Sequence, residues 1–317
     1  MKENKRIFLW AGLVCLAAAG GSLLLGAADL RQALSGPIFW LIRLPRTAAC
    51  LLSGAALAVA GCVIQGVLAN PLASPGIIGV NAGAGLAVTV CCAVGAVSGW
   101  ATAGASFLGG LGAALLVSLC AEKAGASRTT VILGGVAVNT FLNGIRDAVT
   151  SLFPETGIMS GDFRVGGFAS VAHTRLIPAG ILILLGLAAV FTLHNELDVM
   201  TLGEDSAAGL GMNVRRMRSL FLALAALLTG ASVSYAGLLG FVGLIVPHMA
   251  RKVVGNESGK LLPLSALGGA AFVTLCDTAA RMVFSPYELP VGVFLSVLGG
   301  PFFLWLLYRR KGGRSHD

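Results

Sequence analysis

The chain has 317 residues, of which 56% are hydrophobic, 44 are glycine and only 11% are charged, against about 25% charged in an ordinary soluble domain. A mean hydropathy of +0.87 excludes a disordered chain and leaves too few charges to coat a soluble one. The net charge of +8 is no nucleic-acid signature, because no basic face carries interleaved aromatics. Beside membrane spans, such charges set orientation.

In chain order, Met1 to Arg6 precede an apolar run over 7–28. That run exceeds the roughly 7–15 residues of a signal-peptide core, so it is expected to stay as a first span. Residues 47–121 contain no Asp, Glu, Lys or Arg. At about 20 residues per crossing they hold three spans, broken at Asn70–Gly76 and in the Gly95–Gly104 region. One span is expected in 128–151, interrupted late by Arg146 and Asp147, and one in 176–195. Two are expected in 219–250, where Gly237, Gly240 and Gly243 break the run, one in 261–283 and one in 289–308. The expectation is an all-α integral membrane protein of ten spans, a single domain over 1–317.

An even count puts both termini on one side. With that side cytoplasmic, the inner segments hold 15 of the Lys and Arg residues, including every lysine, and the outer ones 7. The split favours cytoplasmic termini. Arg43, Arg46 and Arg281 fall at outer span ends, against the rule, and call for a reason.

Small residues recur every four positions at Gly54, Ala58, Cys62 and Gly66. Such a stripe lets helix backbones approach closely, or it lines a path. Gln65 and Asn70 follow, as interhelical hydrogen bonders or pathway residues. The longest polar inner loop runs over about 195–218. It carries Glu196, Asp198, Glu204 and Asp205 first and Arg215, Arg216 and Arg218 last, with Gly203, Gly209 and Gly211 permitting tight turns.

Several signatures fail. Gly255-Asn-Glu-Ser-Gly259-Lys260-Leu261 has three residues between its glycines and Leu after the Lys, so it is no phosphate-binding loop. Gly209-Leu-Gly211 lacks the context of a dinucleotide site. The cysteines lie in apolar stretches without CxxC spacing, and His173, His194, His248 and His316 are scattered, so neither a disulfide framework nor a metal site is expected. Ionisable groups within the spans are scarce, which disfavours a proton-driven carrier. A secondary transporter using a sodium gradient stays open as the more distant reading. No catalytic dyad at helical spacing suggests an intramembrane enzyme.

One set of motifs is specific. Arg43-Leu-Pro-Arg46, Gly54-Ala-Ala-Leu57, Ala60-Gly61, Gln65-Gly66, Asn70-Pro71-Leu72-Ala73, Pro75-Gly76 and Gly79 to Ala84 stand in one half. Gly240-Phe-Val-Gly243-Leu-Ile-Val-Pro247-His248, Asp277, Arg281 and Glu288-Leu-Pro290-Val-Gly292 stand in the other. In order and spacing they resemble the FecCD family, the permease subunits of bacterial ABC importers for iron-siderophores, haem and cobalamin. The resemblance covers essentially the whole chain. It implies the ten-span, inverted-repeat fold of type II importers in the bacterial cytoplasmic membrane. It implies a second permease subunit (the same chain or another), two cytoplasmic ATPase subunits and an extracytoplasmic substrate-binding protein. The chain itself would then be no enzyme and bind no cofactor, since ATP and Mg are used on the ATPase. The resemblance gives Arg43, Arg46 and Arg281 the task of receiving carboxylates of the binding protein. It gives Leu202, Gly203, Glu204, Ala207, Gly209, Gly211 and Met212 that of coupling to the ATPase. Among cargoes it implies ferric siderophores first, then haem or cobalamin. Arg43-x-x-Arg46 and Arg215-x-x-Arg218 precede spans five apart, as inverted halves require.

Overall fold

The computed structural model describes residues 2–25, 36–123, 127–283, 285 and 287–311. Arg31 and Arg314, counted above among the loop cations, and residues 26–28 of the first apolar run lie outside them. Every regular element among the described residues is helical. The first is α1 (Lys2–Leu24). A π-helical turn (Phe39–Arg43) runs directly into α2 (Leu44–Val67). Then come α3 (Val80–Ala93), α4 (Gly99–Lys123) and α5 (Arg128–Leu152). Two short helices, α6 (Glu155–Met159) and α7 (Gly161–Val165), precede α8 (His173–Thr192). Another short pair, α9 (His194–Thr201) and α10 (Glu204–Gly209), leads to α11 (Val214–Ala236). The chain finishes with α12 (Val242–Val254), α13 (Ser258–Val283) and α14 (Val291–Lys311).

The breaks have local causes. Gly79, at φ 87°, turns the chain from a short 3-10 turn (Pro75–Ile78) into α3. Gly237, at φ 69°, ends α11. The Ser127 hydroxyl accepts the Thr130 amide at 3.2 Å and so caps α5. The Asn213 carbonyl oxygen accepts the Arg216 amide at 3.1 Å and caps α11. Contrary to the expectation, α5 is not interrupted by Arg146 and Asp147. The pair bonds to itself on the helix surface, Arg146 Nη2 to Asp147 Oδ1 at 3.1 Å, and the backbone continues through it. The two short helices α6 and α7, in a stretch where no span was expected, form where the chain folds back onto α11. There Leu238 N donates to Phe163 O at 2.9 Å and Gly167 N to Ala236 O at 2.8 Å.

Among the described residues, six helices are long and apolar enough to cross a membrane: Lys5–Leu24, Phe39–Val67, Gly99–Ala121, His173–Thr192, Val214–Ala236 and Ser258–Val283. The chain is thus a multi-pass membrane protein. Helices α3, α12 and α14 are shorter or less apolar, and α5 is more polar. Helix α2 lies at the centre, packed against α11, α12 and α13. Glycines make the approach possible. A Cβ on Gly54 would lie 2.1 Å from the Gly269 carbonyl oxygen, and one on Gly61 would lie 2.0 Å from that of Gly243. In lipid, where apolar burial gives little drive, this backbone proximity is what joins helices.

Candidate functional site

Clusters of charged side chains stand at the two ends of the bundle. At one end stand the three arginines. Pro45 follows the π-helical turn as the second residue of α2, and Arg46 stands one position later, facing α13. Its guanidinium grips Asp277 with Nε and Nη2, both at 3.0 Å. Its remaining Nη1 donates to Glu288 at 2.7 Å. Arg281, one helical turn after Asp277 on α13, places Nε 3.2 Å from the same carboxylate. Asp277 is buried, as are Arg46 and Arg281, so its carboxylate is shared by two desolvated cations, with Glu288 the second counter-charge of Arg46. The forked geometry suits that task.

The other atoms of Arg281, with Arg43, close the end of α1. Arg281 Nη2 reaches Ser22 Oγ at 3.1 Å, and its Nη1 reaches Leu25 O at 3.4 Å. Arg43 Nη1 donates to Leu23 O at 2.6 Å and to Leu24 O at 3.0 Å. The last carbonyls of a helix have no partner within it and carry its negative pole. Two arginines satisfy both needs. All three arginines thus have partners inside the chain.

Beside them opens a cavity of about 540 Å3. Arg46, Glu288, Asp162 and Arg175 border it, with Tyr235 and Cys92 among its other walls. Of the three arginines singled out from sequence, only Arg46 borders it. Asp277, Glu288 and Arg175 were not among the predicted site residues. The signal for Asp277 was present: a carboxylate four residues before an arginine, in an otherwise apolar run.

At the opposite end, α9 and α10 lie across the bundle. Leu197 and Met200 bury their side chains in the core, and Gly66 makes room for Leu197. The Asp198 carboxylate accepts the amide of Ser258 at 2.9 Å and so caps α13. Gly203 (φ 109°) and Gly211 (φ 83°) supply the positive φ that the turns on either side of α10 require. Glu204 points back at the bundle, 2.6 Å from Arg218 Nη2 and 3.9 Å from Arg128 Nε. Ala207 is fully buried and Met212 packs on the core. Gly209 is exposed, and Leu202 and Leu210 are 61% and 66% exposed.

The small-residue stripe meets neighbours within the chain. Gly54 and Ala58 face Gly269, and Cys62 Sγ lies 3.2 Å from Ser265 Oγ. Gln65 donates to Gly243 O at 3.0 Å and accepts from Arg251. Asn70 caps its own turn, taking the Leu72 amide at 3.0 Å. The ring of His248 meets that of Phe302 edge-on at 6.0 Å. No group of three or more His, Cys, Asp or Glu is placed to hold a metal among the described residues.

The chain is similar to characterised proteins over nearly its whole length. It is 37% identical to the iron(3+)-hydroxamate import system permease protein FhuB of Bacillus subtilis (strain 168), over 97% of this chain and 84% of the relative. It is 38% identical to the cobalamin import system permease protein BtuC of Halobacterium salinarum, over 95% and 80%. With the hemin transport system permease protein HmuU of Yersinia pestis it shares 34%, over 87% and 85%. A solved inward-facing conformation of a putative metal-chelate type ABC transporter superposes with a TM-score of 0.88 at 29% identity, covering 96% of this chain and 99% of that one. PsaBC from Streptococcus pneumoniae, at 16% identity and a TM-score of 0.57 over 82% and 88%, shares the fold alone. Residues 9–309 match the FecCD transport family, and with these relatives the match establishes that the chain belongs to that family, the transmembrane permease components of ABC transporters.

Proposed function

We propose that the chain is the permease subunit of an ATP-driven importer that carries a metal chelate, a ferric siderophore first among them, across the bacterial cytoplasmic membrane by alternating access. The observation that carries this reading is similarity over nearly the whole chain to import permeases named for hydroxamate-bound iron, haem and cobalamin. Haem or cobalamin on the same machinery is the alternative cargo. Ten helices of 13 residues or longer, α1 to α5, α8 and α11 to α14, are the ten spans. Both termini are cytoplasmic, as the excess of Lys and Arg supports.

In this reading the Arg46 end faces outward and receives the substrate-binding protein. Arg43, Arg46 and Arg281 are its docking arginines, and Arg46, which borders the cavity, is the one an incoming carboxylate reaches first. The α9–α10 end faces the cytoplasm and seats on the ATPase. The exposed Leu202 and Leu210 beside Gly209 and Gly211 support this, since apolar side chains outside the membrane imply a covering partner. The complex contains a second permease subunit, two ATPase subunits that use ATP and Mg, and one binding protein. The chain itself performs no chemistry.

The test is reconstitution in vesicles with the ATPase and binding protein. Uptake of a ferric siderophore that requires both partners and ATP supports the reading. Uptake driven by an ion gradient without them establishes a secondary transporter instead. Replacing Arg46 by Glu is expected to cut stimulation of ATPase activity by the binding protein at least about tenfold, equivalent to about 1.4 kcal/mol; unchanged stimulation removes the docking assignment.

A further inference from the structure

The four charged residues that border the cavity fall into two kinds. Arg46 and Glu288 are paired with each other at 2.7 Å, and Arg46 also holds Asp277. Their charges are engaged within the chain. Those of Arg175 and Asp162 are not. Among the described residues neither side chain has a hydrogen-bond or ion-pair partner, and no bond joins the two across the cavity.

Both side chains stand on fixed supports. Arg175 lies in the first turn of α8 and is half-buried. Its guanidinium occupies the space that a side chain at position 99 would fill. A Cβ on Gly99 would overlap Nη2, Cζ and Nε alike, so glycine there is what admits the arginine. Asp162 is the second residue of α7 and is exposed. Its neighbour Phe163 is fastened to the end of α11 by the amide of Leu238 at 2.9 Å. Between the two charges the walls are largely apolar, with Val88, Met159, Phe163, Phe168 and Pro290 among them. At about 540 Å3 the volume falls within the roughly 300–1,000 Å3 of small-molecule sites, which combine apolar walls with a few placed polar groups. A single side chain of a partner protein would leave most of it empty.

We propose that this cavity, contained within one subunit, reads the cargo: it takes a small zwitterionic metal chelate, binding a carboxylate of the chelate with Arg175 and an ammonium group with Asp162. This rests on the import reading given above. The forked donors of a guanidinium match a carboxylate, and the apolar walls cover the skeleton between the two charges. The permease thereby discriminates among chelates by charge, at a site separate from the arginines that cap α1.

The experiment measures equilibrium binding of a radioiron-labelled trihydroxamate to the permease–ATPase complex in nanodiscs, without the binding protein. The probe carries one free amine and one free carboxylate. It is compared with its N-acetylated and its carboxyl-amidated forms. Arg175→Gln is expected to weaken the parent chelate at least about tenfold and to erase its advantage over the amidated form. Asp162→Asn, at an exposed position, should weaken it about threefold and erase its advantage over the acetylated form. Arg175→Lys should fall between wild type and Arg175→Gln. Loss confined to one form of the probe is a result that misfolding does not produce. Failure of the parent chelate to bind the wild-type complex overturns the proposal, and so does binding that neither substitution alters. If Arg175→Gln spares chelate binding and instead lowers capture of the binding protein, the carboxylate belongs to that partner and the proposal falls. Failure of the import reading is distinct: the wild-type complex with ATP and binding protein would then take up no chelate, whereas failure of this site alone leaves that uptake intact.

Discussion

Helices α1 and α2 have the same hydropathy, 2.1 over their spans, yet 11% of one window is buried inside the chain and 78% of the other. Apolarity puts both in a membrane and says nothing about which belongs at the centre. The glycines decide. Those of α1 face open space: a Cβ at Gly12 or Gly20 would meet nothing within 4 Å. In α2, Gly54 and Gly61 face carbonyls of other helices, and Gly66 faces the Leu197 side chain. Lipid solvates a leucine as well as a protein core does, so position in the bundle is set by where backbones can touch.

The contrast can be broken most sharply at Gly61. Gly61→Leu would push a branched side chain into the backbone of Gly243, a cost of roughly 3 kcal/mol or more. Loss of the monodisperse peak in detergent gel filtration is expected, and normal folding of this variant would show that backbone contact does not hold the centre. Next is the polar staple of α2 to α13. Asp277→Ala leaves two buried guanidiniums without their shared carboxylate and should cost about 3–5 kcal/mol, read as a drop in thermal unfolding temperature. Gln65→Ala, losing bonds to Gly243 and Arg251, should cost about 1 kcal/mol by the same measurement. At the other extreme, Gly20→Leu in α1 should shift stability by less than about 0.5 kcal/mol. A large loss there would mean that α1 is covered by another chain in the assembled complex.

Much of the fold was legible. The charge-free stretch from Thr47 to Ala121 resolves into three helices broken at the expected Asn–Pro and glycine sites, because those residues fail in helix interiors for local reasons. Helices α6 and α7 were not legible, since they are held by backbone bonds to residues far along the chain. The ends of the bundle were half legible. Arg43, Arg46 and Arg281 could be picked out as misplaced cations, but of their partners only Asp277 left a signal in the sequence. Four of those partners are the backbone carbonyls of Ser22, Leu23, Leu24 and Leu25, and carbonyls carry no sequence identity. Ala207 shows the opposite limit: it sits in a loop that reads as surface, and the turn at Gly203 directs it inward.

The capping of α1 has a consequence in time. Helix α1 leaves the ribosome before α2, and Arg43, 20 residues after Leu23, follows it closely. The second cap, Arg281, lies 256 residues beyond Leu25, an interval on the order of tens of seconds at ordinary synthesis rates. Until then one end of α1 is only half closed and its face toward α13 has no neighbour. Helix α1 is therefore fully secured only after α13 has been made.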